Sequence, residues 1–128
     1  MTRPNSERLA KKWFQKADDD LIAAHELLKS DGPAWIIVFH CQQAVEKYLK
    51  GYSVIQGKNP RKIHDLVALA RALKNAESKS LENQMIELSQ YYIAGRYPLD
   101  IDEGITRKTA ERMHRIAQAI IEVLKKKY

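Results

Sequence analysis

Apolar residues dominate the stretch from Trp35 to Tyr52 and cover most of its sides. They are Trp35, Ile36, Ile37, Val38, Phe39, Cys41, Ala44, Val45, Tyr48 and Leu49. A helix that is apolar over most of its circumference is typical of the centre of a bundle, where neighbouring helices contact it on several sides. We therefore predict that this stretch is a helix at the centre of the core.

The polar residues of this central stretch lie along one side of the predicted helix. His40, Gln43, Lys47 and Lys50 follow one another at i, i+3, i+7 and i+10, a spacing that places them in one stripe. Glu46 comes four residues before Lys50, so its carboxylate can partly balance the lysine charge. A polar stripe on a mostly buried helix is expected to border either solvent or a binding site.

Apolar residues at helical spacing predict a helix at each end of the chain. The first is capped by Asn5 or Ser6, and the last is capped around Thr106. The predicted inner stripes are Leu9, Trp13, Ala17, Leu21, Ala24 and Leu28 in the first helix, and Met113, Ile116, Ala117, Ile120 and Leu124 in the last. Both helices are expected to pack against the central one.

Two shorter helices are predicted between the central helix and the last one. One begins around His64 or Asp65, where the carboxylate of Asp65 is favourable at a helix N-terminus. The other follows Ser78 or Ser80 as its cap. Strands are not expected, because no stretch alternates apolar and polar residues for long. The sequence thus predicts an antiparallel all-α bundle.

Composition and charge are those of one helical domain. The chain has 128 residues, 45% of them hydrophobic, which is enough for a core, so we expect residues 1–128 to form a single domain. Lysine and arginine number 22 against 16 aspartates and glutamates, a net charge of +6. This surplus favours an anionic partner such as RNA or a nucleotide, although basic solvated surfaces are also common.

Cysteine usage and the absence of apolar targeting segments indicate a cytoplasmic protein. Cys41 is the sole cysteine, so an intramolecular disulfide is excluded, and its apolar surroundings indicate a buried side chain. The N-terminal residues lack the apolar run of a signal peptide, and no stretch reaches transmembrane length. We expect no contact with a membrane.

The sequence lacks the common motifs of metal and phosphate chemistry. It has no glycine-rich phosphate loop, no zinc-like pairs of cysteine or histidine and no HExxH motif, so neither a metal nor a cofactor is expected. Metal-free phosphate chemistry is the remaining option, in which Arg107 would stabilise a phosphorane-like transition state while His114 moved a proton from a ribose 2′-hydroxyl. Their side chains would lie about 10 Å apart along a helix, too far for joint action unless Arg107 precedes the helix or a two-fold dimer brings two copies together. A solvated or structural role for both residues is the alternative.

Several motifs together resemble the HEPN domain family over almost the whole chain, about residues 8–125. In the first helix they are Trp13, Ala17, Asp20, Leu21, Ala24, Leu27 and Leu28, and in the central helix Phe39, His40 and the run from Gln43 to Lys50, QAVEKYLK. Downstream are His64, Asp65, Leu66 and Leu69, and then Arg96, Tyr97 and Pro98. The order and spacing of these elements are specific to the family.

The resemblance implies an up-and-down four-helix bundle with an additional short helix, usually a homodimer. Such domains often pair with a minimal nucleotidyltransferase in a toxin–antitoxin-like module. On this basis the chain is predicted to be a nucleotide- or RNA-binding subunit of such a module. The residues predicted to form its nucleotide and phosphate site are His40, Gln43, Lys47, Lys50, His64, Arg96 and Tyr97. Lys47, Lys50 and Arg96 would contact phosphate, and Tyr97 would stack on a base.

Many branches of the family are metal-independent ribonucleases, and this activity is the second hypothesis. Their motif separates an arginine from a following histidine by four to six residues, which Arg107 and His114 satisfy at the longest spacing. Lys108 follows the arginine where a polar Asn, Asp or His is usual, and Ile116 stands where some toxin relatives carry a tyrosine. These departures favour the binding role. A third hypothesis is a structural module in which the polar stripe fixes the register of the helices.

Overall fold

The structure, a computed structural model, describes residues 4–59, 64–72, 80–91 and 104–126, and within these ranges it is helical without strands. The helices are α1 (Pro4–Lys29), α2 (Ala34–Ile55), α3 (Leu66–Ala72), α4 (Glu82–Ser89) and α5 (Arg107–Lys125). The all-α class predicted from the sequence is confirmed, and the arrangement of the helices is consistent with the predicted four-helix bundle and additional short helix.

Helix α2 is the centre of the core, as its apolar pattern predicted. It contacts each of the other four helices. Ile37, Val38, Cys41, Ala44 and Leu49 of this helix are all 1% exposed or less. Such complete burial on several sides is possible only because neighbouring helices surround α2. The polar stripe therefore lies on the side of α2 that these apolar residues leave.

Helix α1 packs antiparallel to both α2 and α5, and α2 and α5 run in the same direction. Near its start, α1 places the Phe14 ring 4.7 Å from the ring of Tyr48 in the second half of α2. The end of α1 meets the start of α5, where Arg107 binds Asp31. At the other end of α5 the carbonyl of Leu124 accepts a hydrogen bond from the hydroxyl of Tyr52. These contacts hold α1, α2 and α5 together as the frame of the domain.

The starts of two helices were predicted correctly. Thr106 caps α5 with its side chain, which accepts a hydrogen bond from the backbone N–H of Thr109, and the Thr109 hydroxyl accepts one in return from the N–H of Thr106. Asp65 caps α3 by accepting hydrogen bonds from the N–H groups of Val67 and Ala68. A cap of this kind satisfies backbone donors that have no partner within the helix.

Three details of the predicted helices are wrong. Helix α1 already includes Pro4, so neither Asn5 nor Ser6 is its cap. Leu81 rather than Ser80 precedes α4. Leu9 was assigned to the inner stripe of α1 but is 46% exposed, whereas the adjacent Ala10 is 1% exposed, so the covered side of α1 passes through Ala10 at this level. Ser78, also proposed as a cap, lies outside the described residues.

Within the described ranges, no helix combines the length and the apolar character needed to cross a lipid bilayer.

Candidate functional site

Asp20 on α1 binds two side chains of the α2 polar stripe. One oxygen of its carboxylate lies 2.8 Å from Nδ1 of His40, and the other lies 2.6 Å from Nζ of Lys47. Burial alone would raise the pKa of Asp20, but the hydrogen bonds from His40 and Lys47 outweigh it and lower the pKa below its ordinary value. The group is therefore a carboxylate at neutral pH, and it orients both partners.

Glu46 organises a second cluster on the side of α2 that faces α3. Its Oε1 lies 3.0 Å from Nδ1 of His64 and accepts a hydrogen bond from the Gln42 amide at 3.1 Å. Its Oε2 accepts a hydrogen bond from the Lys50 ammonium at 3.1 Å. The salt bridge predicted between Glu46 and Lys50 is thus present, and His64 joins it from the segment that leads into α3.

Two glutamines extend the Glu46 cluster along α2. The Gln43 amide donates a hydrogen bond to the carbonyl oxygen of Gln42 at 2.8 Å, and the Gln42 amide also donates to the backbone carbonyl of His64 at 3.2 Å. Both glutamines are buried. We call this set of side chains the polar strip: Asp20, His40, Gln42, Gln43, Glu46, Lys47, Lys50 and His64.

The members of the polar strip differ in their exposure. The side chains of Glu46, Lys50 and Asp20 are 4%, 9% and 11% exposed. Those of Lys47, His40 and His64 are 24%, 29% and 39% exposed, respectively. The two carboxylates thus form a buried layer, and Lys47 and the two histidines form a partly exposed rim that this layer holds in place. Rigid support of exposed polar groups by buried partners is typical of binding sites.

Lys50 occupies a different position from the one that a phosphate contact requires. Its ammonium binds Glu46 in the buried layer, and it lies 5.7 Å from the centre of the Trp13 ring. A buried ammonium that is already paired cannot approach a ligand without breaking that pair. The geometry therefore argues against the direct phosphate contact predicted for Lys50 and assigns it to the support of Glu46.

Arg96 and Tyr97, the remaining two predicted site residues, lie outside the described residues. Their roles as phosphate contact and base-stacking partner stay predictions.

Arg107 and His114 have different surroundings within one chain. The Arg107 guanidinium donates hydrogen bonds to the Asp31 carboxylate at 2.6 Å, the Leu28 carbonyl at 2.8 Å and the Glu111 carboxylate at 3.1 Å. It joins the start of α5 to the end of α1. Because Arg107 is the first residue of α5 and binds these groups, the helix does not bring its side chain to His114, which lies almost two turns further along.

His114 is a buried residue of the contact between α1 and α5. It is 7% exposed, its ring stacks on that of His25 at 5.6 Å between centroids, and its Nε2 has no hydrogen-bond partner. An open groove of about 460 Å³ runs beside it. The groove is lined by Asp18, Leu21, Ile22, His25, Glu26, His114 and Gln118. Burial and, secondarily, the neighbouring His25 lower the pKa of His114.

The lowered pKa of His114 predicts how stability depends on pH. The unfolded chain binds a proton at this histidine more readily than the folded chain, so the free energy of unfolding should decrease as the pH falls from about 6.5 towards the lower pKa of the folded state. Urea unfolding at several pH values would measure this decrease. His114→Leu should reduce it, and His25→Gln should reduce it less, since burial is the larger cause. An equal decrease in wild type and His114→Leu would contradict the assignment.

Three contributors to these sites were not predicted from the sequence. Gln42 links Glu46 to the backbone of His64, and Trp13 lies over Lys50. The spacing of Gln42, Glu46 and Lys50 at i, i+4 and i+8 is a signal that could have identified the glutamine. His25 stacks on His114 across two helices, and no local pattern in the sequence indicates such a contact.

The described residues contain no group of three or more His, Cys, Asp or Glu side chains that could hold a metal ion. The partly exposed rim of the polar strip offers two carboxylate-bound imidazoles, of His40 and His64, and the ammonium group of Lys47.

The comparisons with known proteins define the class of this helical domain. The profile of the HEPN domain family matches residues 10–127, and the chain therefore belongs to the HEPN domain family. This confirms the resemblance found in the central helix and its neighbours. No match is found among curated proteins.

Two solved structures are similar to this one over nearly their whole length. TT1696 from Thermus thermophilus is 27% identical with a TM-score of 0.80, and the match covers 93% of this chain and 98% of TT1696. ST0689, an archaeal HEPN homologue, is 23% identical with a TM-score of 0.74, and the match covers 92% of this chain and 96% of ST0689. The likeness to ST0689 supports the fold alone.

Proposed function

We propose that this chain is a HEPN subunit that binds a nucleotide or RNA at the polar strip and acts beside a minimal nucleotidyltransferase partner in the cytoplasm. His40, Lys47 and His64 are the groups that meet the ligand, with Arg96 and Tyr97 added from the sequence pattern. A homodimer is part of this proposal.

The partly exposed rim is the observation that carries the proposal. Lys47, His40 and His64 each bind a more deeply buried carboxylate. About a quarter of the Lys47 side chain, and a larger share of the His40 and His64 side chains, stays in contact with solvent. Their polar heads are therefore held in position before a ligand arrives, which reduces the entropy lost on binding. The basic surplus of the chain, +6, favours an anionic ligand over a neutral one.

A purely structural role explains the buried layer better than it explains the rim. Glu46, Lys50 and Gln42 are buried and hydrogen-bonded, as a network that fixes the register of α2 and α3 requires. A role in register alone does not call for two partly exposed histidines on separate carboxylates. We therefore assign register to the buried layer and ligand binding to the rim.

The proposal predicts that removing positive charge from the rim weakens binding of RNA. Lys47→Gln keeps a hydrogen-bond donor near Asp20 but loses the charge, so affinity for a short oligouridylate should fall, by a factor that shrinks as salt rises. Arg96→Ala should cost more, because a guanidinium binds phosphate oxygens through two N–H groups and an ammonium does not. Calorimetric titration at several salt concentrations measures both.

A lysine outside the strip supplies the matched control. Lys108 is exposed at the start of α5, and Lys108→Gln removes the same charge from the chain. It should reduce affinity less than Lys47→Gln at low salt. Equal losses in the two variants would mean that binding is a property of total charge, and the polar strip would then not be the site.

The ribonuclease hypothesis predicts a different pattern in the same variants. It requires RNA cleavage by the wild type in the presence of a chelator, with loss of cleavage in both Arg107→Ala and His114→Ala. The binding proposal expects cleavage at background in all of these proteins and unchanged binding in His114→Ala. Cleavage by the wild type that His114→Ala abolishes would overturn the binding proposal.

A further inference from the structure

The hydrogen-bonding pattern of the two rim histidines restricts what they can donate to a ligand. An ionised carboxylate only accepts hydrogen bonds, so Nδ1 of His40, 2.8 Å from Asp20, carries a hydrogen. The same holds for Nδ1 of His64, 3.0 Å from Glu46. In a neutral imidazole with hydrogen on Nδ1, Nε2 is an acceptor. A phosphate oxygen is also an acceptor, so neither neutral ring can donate a hydrogen bond from Nε2 to it.

The charges of the polar strip lead to the same conclusion. Asp20 and Glu46 are balanced by Lys47 and Lys50, which bind them directly. With both histidines neutral, the strip has no net charge, and each proton bound by His40 or His64 adds one positive charge. Asp65, which caps α3 beside His64, adds a further negative charge near this end of the strip. An anion is therefore attracted by the strip itself only after a histidine is protonated.

We propose that the polar strip binds its anionic ligand together with protons, and that His40 and His64 are the groups that take them up. The imidazolium form of each ring keeps its Nδ1 hydrogen bond to the carboxylate and presents an N–H at Nε2 to a phosphate oxygen. Binding and protonation then favour each other, as reciprocity between two ligands of one protein requires. This inference rests on the proposed function of the strip and adds its dependence on pH.

Among the described residues, the charged groups that face these rings come from three parts of the fold. Asp20 of α1 and Lys47 of α2 face His40, and Glu46 and Lys50 of α2 face His64 together with the adjacent Asp65. The carboxylates bind the imidazoles directly, whereas the two ammonium groups contact those same carboxylates. A protonated ring therefore keeps an oppositely charged partner at hydrogen-bond distance, and the ligand supplies a second one.

Calorimetric titration of the whole chain with a short oligouridylate tests the proposal. The phosphodiesters and the uracil bases of this RNA keep one ionisation state between about pH 5.5 and about pH 8, so a change of affinity reports protons bound by the protein. Titrations at constant, low salt in two buffers of different ionisation enthalpy measure the number of protons taken up. We expect net proton uptake and an affinity that rises as the pH falls, by up to about tenfold per pH unit for each proton.

Single and double glutamine variants assign the protons. Gln keeps an amide N–H for the carboxylate but does not titrate, so His40→Gln and His64→Gln should each reduce proton uptake, and the double variant should nearly abolish it. His25→Gln is the control, because this histidine lies in the groove between α1 and α5. It should leave proton uptake unchanged. Circular dichroism at each pH verifies that every variant is folded. If the double variant does not fold, the two single variants still test the proposal.

The outcomes separate this inference from the proposed function. Binding by the wild type without proton uptake, or with uptake that His40→Gln and His64→Gln leave intact, overturns the inference and leaves the binding site in place. Absence of binding by the wild type at every pH overturns the proposed function itself.

Discussion

Replacing Ala44 by glutamate is expected to unfold the protein. Ala44 is 0% exposed, and it lies on α2 among apolar residues. A glutamate there would bury a charge without a partner, at a cost of several kcal/mol, which is comparable to the whole stability of about 5–15 kcal/mol of a typical domain. Circular dichroism during heating should show no cooperative unfolding transition for this variant.

The same substitution at an exposed alanine is the control. Ala119 lies on the exposed side of α5, where a glutamate stays in water and is well tolerated by a helix. Ala119→Glu should keep the wild-type thermal midpoint. A wild-type midpoint for Ala44→Glu as well would show that α2 is not at the centre of the core.

Replacing Glu46 by alanine should be the most destabilising change within the polar strip. The Lys50 ammonium, 9% exposed, would lose its carboxylate partner and stay buried, while His64 and Gln42 would lose an acceptor. Breaking a buried ion pair on one side costs about 3–5 kcal/mol. Urea unfolding of the variant should therefore show a clearly lower midpoint than that of the wild type.

Two further variants serve as controls for Glu46→Ala. Glu46→Leu combined with Lys50→Met removes both charges and should be more stable than Glu46→Ala, because no buried ammonium stays unpaired. Glu87 pairs with Arg112 on the surface, so Glu87→Ala should cost at most about 1 kcal/mol. If Glu46→Ala were as stable as Glu87→Ala, the buried layer of the strip would have no role in holding α2 and α3 together.

The apolar pattern predicted the central helix because the burial of a helix on several sides is visible in its own consecutive residues. The run from Trp35 to Leu49 has too many apolar sides for a surface helix, and the other helices surround it, except that Trp35 at the start of α2 is 42% exposed. Caps such as Thr106 and Asp65 were predictable for the same reason, since a cap needs only the next few residues. Leu9 was misplaced because both Leu9 and Ala10 fit an apolar stripe on α1, and the periodicity did not show that Ala10 is the one that is buried.

The polar strip could be predicted only in part. The spacing of His40, Gln43, Lys47 and Lys50 placed them in one stripe, and the four-residue spacing of Glu46 and Lys50 indicated their ion pair. The partners of Asp20 depend on how α1 and α2 align along each other. Lys47 comes 27 residues after Asp20, so the sequence around either residue does not indicate this contact. The stripe also gave no means to distinguish the buried Lys50 from the partly exposed Lys47, because both occupy the same side of α2.

Mapping the bound ligand on the wild-type chain tests the central claim most directly. NMR spectra of the isotopically labelled protein, recorded near pH 6 during titration with a short oligouridylate, report which residues change their environment on binding. We predict the largest chemical-shift changes at the side chains of His40, Lys47 and His64, with little change at His25 and His114 in the groove between α1 and α5. The largest changes in that groove, or no changes anywhere at saturating RNA, would contradict the assignment of the polar strip as the binding site.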